Sequence, residues 1–242
     1  MVSLMLALAR FWTDAATQAV VWSVATIGFY VGAKMLYRRW PRWWLTPLAT
    51  APLFLLAAVL LLHTSYPAYI RGTGWLMTLL GPATVAFAVP IYQQRAVVRR
   101  HWPVLLAGAV AGSATSMLSA WAMATVLDLP SAVRLSLMAR SMSTPFAVVV
   151  SGDIGGLPDL TAVFVIITGI FGAAFGEIML ARLPIRSALA RGALLGAGAH
   201  GAGTAKAHEI GPQEGSIAGL VMVLVGVLNV FVAPVLAYCL HG

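Results

Sequence analysis

Long apolar stretches constrain this chain more than any other feature of its sequence. Six of them are long and apolar enough to cross the hydrocarbon core of a membrane, which takes roughly 20 residues. They are Ala16–Leu36, Leu45–Leu62, Gly74–Gln94, Pro103–Leu127, Leu160–Ala181 and Ser216–Leu240. Only 9% of the 242 residues are charged, whereas a soluble domain carries about 25%. The pattern predicts an all-α polytopic membrane protein.

Two further apolar segments, residues 134–158 and 185–212, are interrupted near their centres. Each contains a helix breaker beside a threonine, at Thr144-Pro145 and Gly203-Thr204, and Gly81-Pro82-Ala83-Thr84 in the third span is similar. Such breaks free backbone groups that hydrocarbon cannot satisfy, so they should be buried in protein or line a polar cavity. Paired interrupted segments are typical of transport sites, although ordinary kinked helices would show the same breaks.

Ten of the fifteen basic residues lie in three clusters, which predicts the topology because positive loops face the cytoplasm. The clusters are Lys34, Arg38, Arg39 and Arg42; Arg95, Arg99 and Arg100; and Arg182, Arg186 and Arg191. An even number of crossings must separate the second cluster from the third. Each interrupted segment is therefore predicted to enter and leave on the same face of the membrane.

The predicted architecture is six spans plus two opposed re-entrant hairpins, with both termini outside. Eight spans with broken helices are the alternative. Residues 1–242 are treated as one integral membrane domain of the bacterial cytoplasmic (inner) membrane, in which residues 1–13 form an interfacial helix. The basic residues behind the net charge of +8 lie mostly in clusters at the ends of the apolar segments, as in a membrane protein. Nucleic acid is therefore not an expected partner.

Glycines spaced four residues apart predict close helix packing, since small residues let helix backbones approach one another in lipid. The pairs are Gly28/Gly32, Gly108/Gly112, Gly172/Gly176, Gly192/Gly196 and Gly215/Gly219. One or two of the five are expected to face lipid instead. This pattern concerns packing and not function.

Motifs for enzymatic chemistry are weak in this chain. A GxGxxG match begins at Gly196, but no strand precedes it. His200, His208 and Glu209 lack the His-Glu-x-x-His spacing of metalloproteases, and Cys239 is a single cysteine without zinc or redox spacing. We expect no enzyme activity, no cofactor and no metal site.

Polar residues at membrane depth carry the functional signal, because an isolated charge in hydrocarbon costs several kcal/mol and usually faces a cavity or a partner. Arg140 is a candidate for bidentate binding of a carboxylate, for a pair with Asp153, or for a position at the membrane surface. His200 suits proton coupling or a hydrogen bond to a freed carbonyl. Lys206 and Glu209 share a helix face and so form a candidate ion pair.

These considerations select two groups of residues. The substrate-binding candidates are Thr84, Arg140, Ser143, Thr144, His200, Gly203, Thr204 and Lys206. The candidates for coupling or pairing are Asp153, Glu177, His208 and Glu209.

Five blocks in order resemble the LrgB/CidB family, from about Leu45 to the C-terminus. They are Leu80-Gly81-Pro82-Ala83-Thr84-Val85-Ala86; Arg140-Ser141 followed by Thr144-Pro145; Ile154-Gly155-Gly156; Leu160-Thr161-Ala162-Val163-Phe164-Val165-Ile166; and His200-Gly201 with Gly203-Thr204-Ala205-Lys206-Ala207. The resemblance implies one of two functions. One is transport of small monocarboxylates such as pyruvate, glycolate or glycerate, by an alternating-access or elevator-like mechanism. The other is holin/antiholin-like modulation of murein hydrolase activity and autolysis.

The resemblance also implies partners beyond the lipid bilayer and the carboxylate. An LrgA/CidA-type membrane subunit would be a separate polypeptide, and a homo-oligomer, a dimer, is expected. The residues favour transport, because helix N-termini at the breaks carry about +0.5 of an elementary charge and free NH donors that suit a carboxylate. A holin needs no such bounded polar site.

Overall fold

The computed structural model of the chain describes residues 14–241 with the exception of Phe87, and this part is all helical, without a strand. It divides into two compact units, Met1–Pro82 and Ala83–Gly242, which are described separately. The predicted interfacial helix, residues 1–13, lies outside the described residues. The all-α class is confirmed, whereas a single membrane domain stays a prediction.

The first unit is built on helix α1, Ala15–Arg39. The carboxylate of Asp14 caps it by accepting a hydrogen bond from the backbone N–H of Thr17 at 2.9 Å, and this bond lowers the pKa of Asp14. A 3-10 turn, Trp43–Leu45, leads into α2, Pro47–Leu61, and α3 follows at Tyr66–Thr73.

Packing in this unit joins α1 to α3. Trp22 is 2% exposed, and its ring lies edge-on to Tyr69 with a centroid distance of 5.5 Å. The hydroxyl of Ser23 donates to the carbonyl of Gly72 at 3.1 Å. A Cβ atom added to Gly72 would lie only 3.0 Å from the Cα of Ala19. The two helices therefore approach each other closely at this glycine.

The predicted third span, Gly74–Gln94, is not one continuous helix. Helix α4, Trp75–Thr78, is followed after a turn at Leu79 by α5, Leu80–Ala86; α6, Ala88–Gln93, lies beyond Phe87, which is not among the described residues. Pro82 lies in the first turn of α5, where a missing N–H removes no helix hydrogen bond. Because a proline ring clashes with the carbonyl four residues before it, Pro82 accounts for the end of α4 at Thr78.

Four described helices are long and apolar enough to cross a membrane: Ala16–Arg39 within α1, α7 (Arg95–Val126), α10 (Pro158–Arg182) and Pro212–Cys239 within α12 (Pro212–His241). Helix α7 is kinked at His101, two residues before Pro103. Helix α2, with 15 residues, is shorter than the roughly 20 residues of a perpendicular span.

A first helical hairpin covers residues 131–153. Its arms are α8, Ser131–Met138, extended by a 3-10 turn at Ala139–Ser141, and α9, Thr144–Asp153, with an extended reversal at Met142 and Ser143. Its base is tied to α10 by buried hydroxyls. The hydroxyls of Ser151 and Thr161 lie 2.6 Å apart, and Ser136 accepts from the backbone N–H of Leu157 at 2.8 Å.

A second helical hairpin covers residues 188–210 and is formed by α11, Ala188–Ile210. The chain reverses at His200, whose φ of 47° and ψ of −122° are not helical. A Cβ on Gly203 would lie 1.9 Å from the carbonyl oxygen of Leu195. Residues eight apart in a straight helix would be about 12 Å apart along its axis, so the two arms fold against each other.

The two hairpins point toward each other. Helix α10 runs from the base of the first to the base of the second, and its 25 residues span about 37 Å. The first arm of each hairpin is about 16 to 18 Å long. The two first arms together are therefore about as long as α10, so the tips of the hairpins come together beside the middle of that helix.

Three of the five glycine pairs pack against another helix. A Cβ on Gly196 would lie 2.3 Å from the carbonyl oxygen of Ala218, and one on Gly172 would lie 2.4 Å from that of Gly198. In the described structure, no atom of a neighbouring element lies within 4 Å of a Cβ added at the other four glycines, Gly28, Gly32, Gly108 and Gly112. The small-residue pattern therefore indicates packing only around the second hairpin.

Candidate functional site

The hairpin tips meet at His200. This residue is 2% exposed, and its imidazole lies beside the backbone of Ser141 and near the charge of Arg140. The backbone of Ser141 influences the ring electrostatically, but neither ring nitrogen of His200 meets hydrogen-bond geometry with a described residue. A buried imidazole without a hydrogen-bond partner in this part of the chain is thus placed where the hairpins touch.

The backbone of His200 adds to this picture. A positive φ is uncommon for a residue with a side chain and costs about 1–3 kcal/mol. The flanking sequence offers glycine at Gly198 and Gly201, yet the reversal falls on the histidine. The imidazole is therefore held at the tip at the expense of backbone strain.

The first hairpin presents a helix N-terminus at its tip. Ser143 is the N-cap of α9, but its side chain makes no capping hydrogen bond. Its hydroxyl is buried and has no partner in the described part of the chain. Pro145 has no N–H, and the N–H groups of Phe146 and Ala147 donate to the carbonyl of Ser143 at 3.0 Å. The tip of this hairpin therefore offers the Ser143 hydroxyl, the amide of Thr144 and the partly buried Arg140 as donors, together with the positive potential of the helix N-terminus.

Polar side chains of α7 and α12, some buried and some half-buried, lie next to the first hairpin. Ser116 donates to the hydroxyl of Ser141. One turn away, the side-chain amide of Asn229 donates to Ser113 at 2.9 Å and to the carbonyl of Val225 at 2.7 Å. None of these four side chains is among the residues that the sequence selects. Asn229 carries a signal nonetheless, since it is a polar amide within the apolar stretch Ser216–Leu240.

The threonines selected from the sequence have different surroundings. Thr204 follows the second tip, where its hydroxyl donates to the carbonyl of His200 at 2.9 Å and lies 3.9 Å from the sulfur of Met222. Thr144 begins α9. Gly203 serves the close contact with Leu195. Thr84 lies in α5, and its side chain is outside the described part of the structure.

The charged candidates of the second hairpin lie away from its tip and pair with one another. The ammonium of Lys206 contacts Glu177 of α10 at 3.2 Å and Glu209 at 3.0 Å. His208 packs against Gly215, where a Cβ would lie 2.1 Å from its Nδ1. This cluster joins the second arm to α10.

Asp153 and Arg140 are separated by the first hairpin. Asp153 is exposed at the C-terminal end of α9, whereas Arg140 lies before its N-terminus, and ten residues of helix span about 15 Å. The two side chains do not form an ion pair within the described residues. Arg140 therefore lies at the tip, and its role as a carboxylate-binding residue stays a prediction.

The tip site offers hydrogen-bond donors and a positive charge, and within the described part of the chain neither the Ser143 hydroxyl nor the His200 ring has a hydrogen-bond partner. Among the described residues, no group of three or more His, Cys, Asp or Glu side chains is arranged to hold a metal ion. Chemically, such a site suits a small anion whose oxygens accept from Arg140, from the Thr144 amide and from the Ser143 hydroxyl.

Comparison with known proteins identifies relatives over most of the chain. Residues 26–239 match the LrgB-like family. The uncharacterized protein YwbG of Bacillus subtilis is 39% identical over 211 residues, which is 87% of this chain and 94% of the relative. The uncharacterized protein YxaC of the same species is 34% identical over 223 residues, or 92% and 97% of the two chains. No solved structure matches. The chain belongs to the LrgB-like family.

Proposed function

We propose that this protein is a transporter of small monocarboxylates, of the pyruvate, glycolate and glycerate class, in the bacterial cytoplasmic membrane. The observation that supports the proposal best is the meeting of the two hairpin tips around His200. A buried imidazole and a buried hydroxyl without partners, a helix N-terminus and an arginine are grouped there. Unsatisfied buried donors call for a polar occupant.

The arrangement of the hairpins supports an alternating-access mechanism, including its elevator-like form. In the proposed topology both hairpins are re-entrant and enter a six-span protein from opposite faces. Each hairpin then closes the site toward one side of the membrane, so that movement of one or the other opens it. The protein is not an enzyme in this proposal, and it works as a homodimer, with an LrgA/CidA-type subunit as a separate partner.

In the bound state, we assign the carboxylate to Arg140 and to the amide of Thr144 at the start of α9. Two parallel N–H···O bonds from a guanidinium fix the plane of a carboxylate, and the helix N-terminus contributes further positive potential. Ser143 and His200 then contact the remainder of a substrate of two or three carbon atoms. The neutral polar row from Ser116 to Asn229 provides hydrogen bonds beside it.

Uptake of labelled pyruvate and glycolate into proteoliposomes tests the proposal, with and without an imposed proton gradient. Transport predicts saturable uptake that an excess of unlabelled substrate suppresses, and empty liposomes serve as the control. Release of a trapped dye of larger size, without saturation, is the result expected of a holin-like lesion. That outcome would favour the modulation of murein hydrolases and overturn the transporter.

A further inference from the structure

The net charge of the chain is confined to one part of its sequence. Between Ala15 and Leu127 there are eight basic residues and no acidic one. The other residues carry seven basic and seven acidic side chains, so they are neutral in sum. The whole formal charge of +8 therefore belongs to residues 15–127. No acidic side chain of that part is available to balance it.

Half of these charges lie in a short basic-aromatic segment, residues 34–44. Lys34, Arg38, Arg39 and Arg42 are all exposed. They surround the end of α1 at Arg39 and the 3-10 turn at Trp43–Leu45. Neither Arg39 nor Arg42 makes an ion pair with a described residue.

Two arginines of this segment stack on tryptophan rings. The guanidinium of Arg39 lies 5.6 Å from the ring centroid of Trp40, and that of Arg42 lies 5.2 Å from the ring centroid of Trp44. Both rings remain largely exposed, at 52% for Trp40 and 47% for Trp44. Stacking on a ring holds a guanidinium in place while its N–H groups stay free to donate.

We propose that the basic-aromatic segment is a binding site for anionic phospholipid headgroups. Tryptophan rings prefer the level of the headgroups, and arginines stacked beside them meet phosphate oxygens at the same depth. The amide end of α2 begins five residues after Arg42 and adds positive potential. The counter-charge that the chain lacks is then supplied by the lipid.

Binding of phosphatidylglycerol to the purified full-length protein in neutral detergent is the test, measured by native mass spectrometry and by the thermal unfolding midpoint. Phosphatidylglycerol should bind and raise the midpoint, and phosphatidylcholine should not. The variant with both Arg39→Gln and Arg42→Gln should bind phosphatidylglycerol about 30-fold more weakly, at about fivefold per arginine. Arg71→Gln is the matched control, because Arg71 is an exposed arginine of the same unit outside the segment, and its binding should be unchanged.

Two further measurements keep the proposal falsifiable if the double variant does not fold. The effect of phosphatidylglycerol on the unchanged protein should weaken as NaCl rises from 50 to 500 mM, because salt screens exposed charges. Inorganic phosphate alone should not reproduce the effect. Equal stabilisation by phosphatidylcholine, an equal loss in Arg71→Gln, or full replacement by phosphate would each overturn the lipid site.

Discussion

The guanidinium of Arg140 supplies the positive charge that the proposed site offers to a carboxylate. Arg140→Lys keeps this charge but loses the planar pair of donors. Loss of a charge-assisted hydrogen bond costs roughly 1.5–3 kcal/mol, so we expect the apparent KM for uptake to rise about 10- to 150-fold. The measurement is initial-rate uptake by proteoliposomes that contain equal amounts of folded protein.

Asp153→Asn is the matched control for this change. Because Asp153 lies at the other end of α9 from Arg140, its neutralisation should leave the KM unchanged. An equal defect in both variants would point to an Arg140–Asp153 pair in another state of the protein. Unaltered uptake by Arg140→Lys would remove Arg140 from the substrate site.

Two substitutions at His200 separate the effect of its backbone strain on stability from the effect of its imidazole. His200→Gly and His200→Ala both remove the ring, but only glycine accepts a φ of 47° without strain. We expect the glycine variant to be more stable than the alanine variant by about 1–3 kcal/mol, the reverse of their order in an ordinary helix. Thermal unfolding in detergent measures this difference, and greater stability of the alanine variant would contradict the strained reversal.

At this scale the sequence points to the tip through residue type and position, since Arg140, Ser143 and His200 are polar residues beside helix breakers. It does not predict that Ser116 and Ser113 of α7 face the same region. Serine is common in transmembrane helices because its hydroxyl can bond to its own helix. Only the packing of α7 on the first hairpin and on α12 shows which serines face inward.

The second hairpin is an element whose stability depends on glycine packing. Gly196→Ala would place a methyl group 2.3 Å from the carbonyl oxygen of Ala218, a backbone atom that cannot move aside alone. Overpacking of this kind costs about 1–3 kcal/mol, so we expect a lower unfolding midpoint and a lower yield of folded protein. Size-exclusion chromatography and thermal unfolding check both.

Gly108→Ala is the control for this substitution, because the described structure has nothing within 4 Å of the corresponding position. Alanine favours a helix over glycine, so the midpoint should be equal or higher. A loss at Gly108 equal to that at Gly196 would mean that the α7 glycines pack against something outside the described chain. The spacing of glycines alone does not separate the two cases, since it is the same on both helices.

The sequence predicts the helix interruptions well in the two segments that contain a helix breaker beside polar residues. The interruptions in residues 134–158 and 185–212 fall at Met142–Ser143 and at His200, close to the threonine-containing breaks. In Gly74–Gln94, by contrast, a turn at Leu79 ahead of Pro82 divides an apolar stretch that hydropathy alone presents as one span. Hydropathy measures the preference of a segment for lipid but not the continuity of its backbone hydrogen bonds.

At the scale of the whole molecule, the proposed topology depends on the direction in which α10 crosses the membrane. If α10 crosses the membrane once and both hairpins return to the face they entered, Asp128 lies outside and Arg186 lies in the cytoplasm. With eight plain spans, Asp128 remains outside but Arg186 moves to the outside as well. Arg186 therefore distinguishes the two topologies, and Asp128 and Arg99 serve as the outside and inside references.

Cysteine labelling of intact cells tests this prediction. The exposed Cys239 is first replaced by alanine, and single cysteines are then introduced as Asp128→Cys, Arg99→Cys and Arg186→Cys. A membrane-impermeant maleimide should label position 128 in intact cells, and positions 99 and 186 only after the cells are permeabilised. Since basic loops are retained in the cytoplasm, each single substitution leaves enough arginines in its cluster to preserve the orientation. Labelling of position 186 from outside, with the references unchanged, would replace the opposed re-entrant hairpins by eight spans.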